Sequence, residues 1–291
     1  MDGALLLDKP LGVSSNAALQ KVKKIFEAKK AGHAGTLDPL ATGLLLVLFG
    51  EATKFAAPLL DADKEYLATL KLGERTSTGD AEGRLLEKKA VEVSNGAVLS
   101  VLARFRGAIE QLPPMHSALK HEGVPLYRLA RRGLSVERAA RSIEIHVLEL
   151  LEFADDRVQL RVECSKGTYI RTLVEQVGLR LGSCAHVRTL RRDFVEPFRN
   201  EAMISLEALL QMTAPVLIPA DRAVAQLPAL HLDAAQARSI CFGQPARIEG
   251  APLGRVRLYV ESGRFMGLGA SVEGGQVRAL RLFALHLGAR N

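Results

Sequence analysis

The chain has 291 residues, of which 48% are hydrophobic and 24% are charged, so it is long enough for one large and one small domain and too apolar to be disordered. Lys and Arg number 39 against 32 Asp and Glu, and this net charge of +7 suits a polyanionic partner. The three cysteines form no CxxC pair and indicate neither a disulfide framework nor a structural zinc site. No apolar run is long enough to span a bilayer and no signal peptide is indicated, so we expect a cytoplasmic protein.

The basic residues fall into three clusters, and this distribution makes nucleic acid the expected partner. One charged run is usually only a solvated surface, but three such runs in a chain of mixed charge favour RNA or DNA. With four Tyr and no Trp, the chain has no broad aromatic platform for sequence-blind binding of single strands. The clusters are Lys21, Lys23, Lys24, Lys29 and Lys30; Arg128, Arg131, Arg132, Arg138 and Arg141; and Arg188, Arg191 and Arg192.

The first fifty residues predict a strand, a helix, a loop and a second strand. Ala4 to Leu7 is a short apolar strand, after which Ser14 or Ser15 can cap a basic amphipathic helix that continues to about Lys29. A glycine-punctuated loop runs from Gly32 to Gly43, and the apolar strand Leu44 to Phe49 follows.

The middle of the chain alternates between strands and helices around one basic excursion. A polar turn is expected from Thr76 to Gly83, and Pro113 to Arg141 is basic and poor in large apolar residues, which predicts a segment outside the core. The expected strands are Glu65 to Leu72, Ile143 to Phe153 and Val158 to Cys164, and the expected helices are Val98 to Phe105 and about Thr172 to Gly182.

Beyond about residue 228 the spacing of Gly and Pro predicts a small β-rich domain, with strands such as Arg255 to Val260 and Val277 to Phe283. Helices and hairpin-like strand pairs both appear, so the predicted class is α+β with mixed strand directions. The predicted domains are therefore residues 1–228 and 229–291.

The segment Gly32 to Gly43 (GHAGTLDPLATG) is the most unusual in the chain. It lacks the Gly-Lys-Ser/Thr ending of a phosphate-binding loop and the glycine spacing of a dinucleotide fingerprint. On its chemistry alone, Asp38 before Pro39 could be a catalyst or a turn-forming residue. His33 could likewise be a base, a ligand or a hydrogen-bonded loop residue.

This segment resembles the catalytic motif of the bacterial tRNA pseudouridine-55 synthase (TruB) family. The resemblance covers the whole chain and implies a pseudouridine synthase fold, with a mostly antiparallel sheet flanked by helices, followed by a small barrel-like domain of the PUA type. The further segments that carry it are Leu5 to Asn16 (LLLDKPLGVSSN), Lys64 to Gly83 (KEYLATLKLGERTSTGDAEG), Pro113 to Arg132 (PPMHSALKHEGVPLYRLARR), Cys164 to Arg171 (CSKGTYIR) and Gly182 to Arg192 (GSCAHVRTLRR).

The resemblance implies a role for each matching residue. Asp38 corresponds to the family's nucleophilic aspartate, and Arg171 to the arginine that pairs with it. Tyr66 corresponds to the tyrosine that stacks on the extruded uracil, and His33 to the histidine that fills the vacated space. Tyr169 and Leu190 correspond to pocket-lining residues. Lys9 and Pro10 match a motif that is more plausibly structural than catalytic.

The implied reaction isomerises the uridine at position 55 in the T-loop of tRNA. The N1–C1′ bond breaks, the uracil turns, and C5 joins C1′. No electrons or water are exchanged overall, so we expect no cofactor and no metal. The carboxylate could attack the sugar, attack the base or assist an elimination, and the sequence leaves these routes open. We expect a monomer that binds the T-arm, with residues 113–141 holding RNA.

Two other classes of function are alternatives to this prediction. An RNA glycosylase would usually need a second carboxylate near Asp38, and Asp61, Asp63 and Asp80 are the candidates to place. A non-catalytic RNA-binding or RNA-folding protein would need only the basic clusters and the C-terminal domain. A close contact between Asp38 and Arg171 would argue against the second alternative.

Overall fold

The computed structural model describes residues 1–212 and 217–283. Its strands, in chain order, are β1 Gly3–Lys9, β2 Ala31–Ala34, β3 Ala41–Phe49, β4 Lys64–Leu72, β5 Glu74–Thr76, β6 Leu85–Lys88, β7 Gly107–Gln111, β8 Lys120–His121, β9 Val124–Pro125, β10 Arg141–Ala154, β11 Arg157–Cys164, β12 Ala185–Val195, β13 Ile204–Ser205, β14 Ala229–Leu232, β15 Ala246–Arg247, β16 Gly254–Val260, β17 Phe265–Val272 and β18 Gln276–Leu282. The α-helices are α1 Ser15–Ile25, α2 Ala56–Asp61, α3 Asn95–Ala103, α4 Leu126–Ala130, α5 Ile170–Arg180, α6 Leu206–Gln211 and α7 Ala234–Cys241. Short 3-10 turns cover Gly50–Phe55, Ala220–Val224 and Glu273–Gly275.

A mixed, mostly antiparallel sheet organises the larger part of the molecule. Among the described residues its order is β13-β1-β3-β12-β4-β11-β10-β7, and β2 also pairs with β3. Within it, β1 with β13 and β3 with β12 are parallel, and the remaining pairs are antiparallel. The predicted α+β class with a mixed sheet is therefore confirmed.

The register of three central strands brings the site residues together. Arg192 of β12 lies opposite Gly43 of β3 on one side and opposite Tyr66 of β4 on the other. Successive side chains of a strand point to opposite faces, so Leu190 shares a face with Arg192. One face of the sheet packs against α1 and α5 in the larger hydrophobic cluster.

The C-terminal part forms a sheet of its own, with the order β14-β16-β17-β18-β15, and α7 packs against it. The expected small β-rich domain is therefore confirmed. Its Leu268 and Phe265 join a hydrophobic cluster that also contains Phe55 and Leu59 of the larger part. The two parts thus share apolar core, and the division at residue 228 stays a prediction. Residues 284–291 of the predicted second domain lie outside the described residues.

The first helix and the loop from Gly32 to Gly43 differ in extent from those expected. The first helix ends at Ile25 rather than near Lys29, because Glu27 adopts a left-handed conformation (φ 48°) and the Ala28 N–H bonds back to the Lys23 carbonyl. The predicted loop from Gly32 to Gly43 is shorter, since its first residues pair with β3 as β2 and its last three begin β3.

Candidate active site

Asp38 lies on a short loop between β2 and β3 that is held on both sides. Before it, the buried Ser15 hydroxyl accepts from the Leu37 N–H at 2.8 Å and donates to the Leu37 carbonyl at 2.9 Å. After it, the Pro39 carbonyl accepts from the Gly12 N–H at 2.8 Å and from Lys9 Nζ at 3.4 Å. The N-terminal turn and α1 therefore fix the backbone of this loop.

Lys9 is fully buried and also donates to the carbonyls of Pro10 and Val13, at 3.0 and 2.6 Å. Burial lowers the pKa of Lys9 from 10.5 to about 8, and the Asp38 carboxylate opposes that change. All three of these bonds go to backbone carbonyls, which fits the structural role expected for this lysine.

The Asp38 carboxylate contacts Arg171, as the resemblance predicts for these positions. Arg171 Nη2 lies 3.0 Å from Asp38 Oδ2, and the two residues are separated by more than 130 positions in the sequence. The guanidinium, 6% exposed, is fixed by donating to the carbonyls of Thr78 at 2.8 Å and His116 at 2.6 Å. Asp38 is 38% exposed and opens into a cavity, so the arginine is rigid and the carboxylate is accessible.

Two opposing effects set the pKa of Asp38. Partial burial of the carboxyl group raises its pKa, and the positive charges of Arg171 and Lys9 lower it; the nearby Asp80 adds to the increase. The net direction is upward. The arginine thus offsets burial and orients the carboxylate, without making it an unusually strong acid.

Asp80 is a second carboxylate near the pair, but it is not among the residues that line the cavity. Its Oδ2 lies 3.8 Å from Arg171 Nε, and its side chain is 4% exposed. Its Oδ1 accepts from the Thr78 hydroxyl and from the Glu82 N–H. Asp80 therefore supports Arg171 from behind. Asp61 and Asp63, the other candidates, are about half exposed and pair with Lys166 and His146.

A cavity of about 540 Å³ opens beside Asp38, within the usual size range of small-molecule sites. The structure brings Tyr66, Tyr169 and Leu190 to its walls together with Asp38 and Arg171. Burial raises the pKa of Tyr66 and of Tyr169, so both phenols stay neutral. Aromatic and aliphatic side chains line the cavity together with charged and hydroxyl groups, and the two aromatic rings suit a flat base.

His33 is the one predicted site residue that does not line this cavity. It lies on β2 opposite Val47, next to the loop that carries Asp38. Its Nδ1 is buried without a protein partner. Burial and the charge of Arg192 lower its pKa, which favours a neutral ring. A neutral ring beside the catalytic loop is compatible with stacking in RNA, and that role stays a prediction.

Three further residues belong to the site although the sequence did not assign them to it. Gln111 accepts from the Tyr169 N–H at 2.7 Å and donates to the Tyr169 carbonyl at 3.2 Å, which fixes the start of α5. Lys64 and Arg192 line the cavity and are 7% and 1% exposed. Sequence patterns do not assign Gln111 and Arg192 to the site because their bonds to distant backbone are tertiary; Lys64 instead donates to the nearby carbonyls of Leu60 and Ala62.

The three basic clusters have different surroundings. Lys21, Lys24, Lys29 and Lys30 are exposed around α1, and Arg128, Arg131 and Arg132 are exposed in the excursion at residues 113–141. The third cluster is not a surface patch. Arg191 binds both carboxylate oxygens of Asp8, at 2.9 and 3.0 Å, and Arg192 is buried.

No described helix has the length and apolar character that a membrane span requires. Within residues 1–212 and 217–283, no three His, Cys, Asp or Glu side chains are arranged to hold a metal ion.

Three family models match consecutive parts of the chain. The N-terminal domain of TruB family pseudouridylate synthases matches residues 23–170. The C-terminal domain of tRNA pseudouridylate synthase B matches residues 171–225, and the C-terminal model of pseudouridine synthase II TruB matches residues 228–283. The chain therefore belongs to the TruB family of pseudouridylate synthases.

Individual relatives agree with the family models. A tRNA pseudouridine synthase B from Haemophilus influenzae (strain 86-028NP) is 49% identical over 97% of this chain and 95% of its own length. The enzyme of the same name from Chromohalobacter salexigens is also 49% identical, over 97% and 94%. Among solved structures, a Cbf5-Nop10-Gar1 complex contains a chain that is 27% identical, with a TM-score of 0.71, covering 94% of this chain and 79% of that one. An H/ACA RNP bound to a substrate RNA containing 2'-deoxyuridine gives 25% identity and a TM-score of 0.72, with coverage of 98% and 86%.

Proposed function

We propose that this enzyme converts the uridine at position 55 in the T-loop of tRNA to pseudouridine, with Asp38 as the catalytic carboxylate. The observation that carries the proposal is the 3.0 Å contact between Asp38 and the buried Arg171 at a cavity lined by Tyr66. The relatives named tRNA pseudouridine synthase B support tRNA as the substrate. Position 55 follows from the resemblance of the motif at Gly32 to Gly43.

The target uridine must leave the folded loop before Asp38 can reach it. Extrusion costs a few kcal/mol. Stacking of the uracil on Tyr66 offsets roughly 1–3 kcal/mol of that cost, and Leu190 and Tyr169 shield the base from water. His33 occupies the space that the base leaves. The lysines around α1 and the arginines at residues 113–141 bind phosphates.

The Asp38 carboxylate then takes part in breaking the N1–C1′ bond. Arg171 holds it in one orientation, because the guanidinium is itself fixed by two backbone carbonyls. The cavity walls exclude water, and exclusion matters because hydrolysis of the cleaved state would leave an abasic site. The attacked atom, whether C1′ or a base carbon, is left open. The reaction needs no redox cofactor, and action as a cytoplasmic monomer stays a prediction.

The structure gives reasons to prefer isomerisation to the two rival functions. A glycosylase would usually place a second carboxylate across the sugar from Asp38, and Asp80 instead lies behind Arg171 with 4% of its side chain exposed. A protein that only binds RNA would have no need of a rigid arginine on an accessible carboxylate.

Nucleotide-resolution mapping tests this proposal. Unmodified tRNA is incubated with the protein, treated with carbodiimide and alkali, and read by primer extension, in which pseudouridine stops the polymerase. We expect one new stop, next to position 55. A tRNA without any new stop, or with stops in the anticodon loop, would contradict the proposal. Strand breaks on aniline treatment would instead indicate a glycosylase.

A further inference from the structure

Arg192 is a buried guanidinium on the central strand β12, and it lines the cavity while being only 1% exposed. Its Nε donates to the Leu44 carbonyl at 2.8 Å and its Nη2 to the Gly35 carbonyl at 3.0 Å. A guanidinium has five N–H donors. These two bonds to backbone leave further N–H donors; the guanidinium also hydrogen-bonds to the Tyr66 side chain and lines the cavity.

The charge of Arg192 has no carboxylate partner in the described part of the chain. The adjacent Arg191 shows the contrast, because it pairs with Asp8 at 2.9 Å and with Asp193 at 2.8 Å. Burying a cation without a partner is unfavourable. A neutral hydrogen-bond donor could equally connect β3 with the Asp38 loop. That structural role alone therefore does not explain why the side chain at this position is charged.

The groups around Arg192 add positive rather than negative charge. The pKa of Lys9 and of Lys64 is lowered to about 8 in each case, mainly by burial and in part by the charge of Arg192. The neutral form of His33 is favoured for the same two reasons. Among the described residues that line the cavity, Asp38 is the only acid, and it is already paired with Arg171. This end of the cavity therefore favours an additional negative charge.

The proposed reaction creates such a charge on the uracil. When the N1–C1′ bond breaks, its electron pair stays on the base, and the negative charge spreads over N1, O2 and O4. If the carboxylate attacks C6 first, an enolate forms at O4 instead. When C5 joins C1′, C5 loses its proton and N1 gains one, so the charge is transient on every route. A fixed cation in a water-excluded site stabilises such a transient anion strongly.

We propose that Arg192 is a catalytic residue that binds the uracil while the base carries this negative charge. The inference rests on the proposed function and adds a role for a second arginine, distinct from the one that holds Asp38. Tyr66, opposite Arg192 in the strand register, supplies the stacking surface that keeps the base against the guanidinium. A purely structural brace is the alternative.

Changing the uracil leaving group distinguishes a catalytic role of Arg192 from a purely structural one. Fluorine at C5 withdraws electrons, so a 5-fluorouracil anion needs less help from a cation. Single-turnover rates are measured on a T-arm hairpin with uridine or 5-fluorouridine at the target, by following loss of the N1-linked nucleoside after nuclease digestion. With uridine, Arg192→Gln should lower the rate by about 100-fold or more. With 5-fluorouridine, the decrease in rate caused by Arg192→Gln should be at least about tenfold smaller than the decrease with uridine. Arg191→Gln, on the same strand but outside the cavity, should match the unsubstituted enzyme on both substrates.

The outcomes are distinguishable. Equal rate losses on uridine and 5-fluorouridine would make Arg192 a brace and overturn the inference, whatever happens to stability. If Arg192→Gln does not fold, Arg192→Lys is measured in the same way. Its misplaced charge should slow turnover of uridine at least about threefold more than turnover of 5-fluorouridine. Equal rate losses on the two substrates would overturn the inference. An unsubstituted enzyme that leaves uridine unchanged would instead contradict the proposed function.

Discussion

Asp38 carries the proposed chemistry only when it is ionised, and the net effect of its surroundings opposes ionisation. Burial and the nearby Asp80 raise its pKa, while Arg171 and Lys9 lower it, with a net upward direction. A carboxylate whose pKa is raised in this way is more basic than an exposed aspartate. Greater basicity accompanies greater nucleophilicity, which suits covalent attack.

The pH dependence of turnover should show this raised pKa. The ionised form exists above the folded-state pKa, so the single-turnover rate on bound hairpin should fall as pH decreases. The midpoint of that decrease should lie above 3.8, the ordinary value for Asp. The measurement is a pH–rate profile under saturating enzyme, with hairpin melting checked at each pH. A rate that persists unchanged to or below pH 3.8 would be incompatible with an essential Asp38 anion.

At the scale of elements, the close pairing of β3 with β12 depends on Gly43. This residue has a φ of +93°, and a Cβ added to it would lie 2.2 Å from the Arg192 carbonyl oxygen. Glycine is therefore needed twice, for the left-handed backbone and for the approach of the neighbouring strand. The same contact sets the position of Arg192 relative to the Asp38 loop.

Gly43→Ala should lower the free energy of unfolding by roughly 3 kcal/mol or more, because a backbone clash cannot be relieved by a rotamer change. Gly182→Ala is the matched control. Gly182 has a similar φ of +76° with open space around it, so its substitution should cost only about 1–2 kcal/mol. Urea denaturation of both variants compares them. Equal decreases in the free energy of unfolding would show that the close approach of β12 to Gly43 adds no cost beyond that of the left-handed backbone conformation.

Most elements were predictable from apolar periodicity, and the exceptions have physical causes. The strand β12 was not predicted, because its arginines suggested a surface cluster and only the folded sheet shows that Arg192 is buried. The end of α1 depends on a left-handed Glu27, a residue type that carries no such signal. Apolar periodicity does not report which residues pair in a ladder, so the pairing of β2 with β3 and the ends of the loop at Gly32 to Gly43 were also missed.

The site was predictable only in part. Its position followed from the unusual glycine-rich segment, and the pairing of Asp38 with Arg171 followed from family resemblance; the 3.0 Å contact agrees with it. Nothing in spacing alone links two residues so far apart. Arg192 and Gln111 were missed because their partners are backbone carbonyls and N–H groups of other elements.

At the scale of the whole molecule, an aromatic cluster joins the two parts of the chain. Phe55 lies 5.5 Å from Phe265 and 5.6 Å from Phe283, between ring centroids, and Lys54 Nζ donates to the Leu282 carbonyl at 2.7 Å. Tyr259 also donates to Asp221 at 2.9 Å. The C-terminal sheet thus packs directly against the larger part of the fold.

Phe265→Ala should therefore destabilise the whole protein, by roughly 2–4 kcal/mol, and not only the C-terminal sheet. Leu253→Ala is the control, because Leu253 belongs to the same sheet region but is 66% exposed, and its substitution should change stability by less than about 0.5 kcal/mol. Thermal unfolding is followed in two ways, by circular dichroism and by the hairpin turnover that remains at each temperature. If the variant keeps its turnover up to the temperature at which the unsubstituted protein loses it, while its circular dichroism transition splits in two, the two parts unfold independently.

The most direct test of the account is turnover by Asp38→Asn on a T-arm hairpin carrying 5-tritiated uridine at the target. The substitution removes the charge with little change in shape. We expect no tritium release by the variant under conditions in which the unsubstituted enzyme releases it completely. Hairpin affinity should stay within about tenfold, equivalent to roughly 1.4 kcal/mol. Tritium release by Asp38→Asn, with pseudouridine found in the product, would contradict the assignment of Asp38 and with it the account of the site.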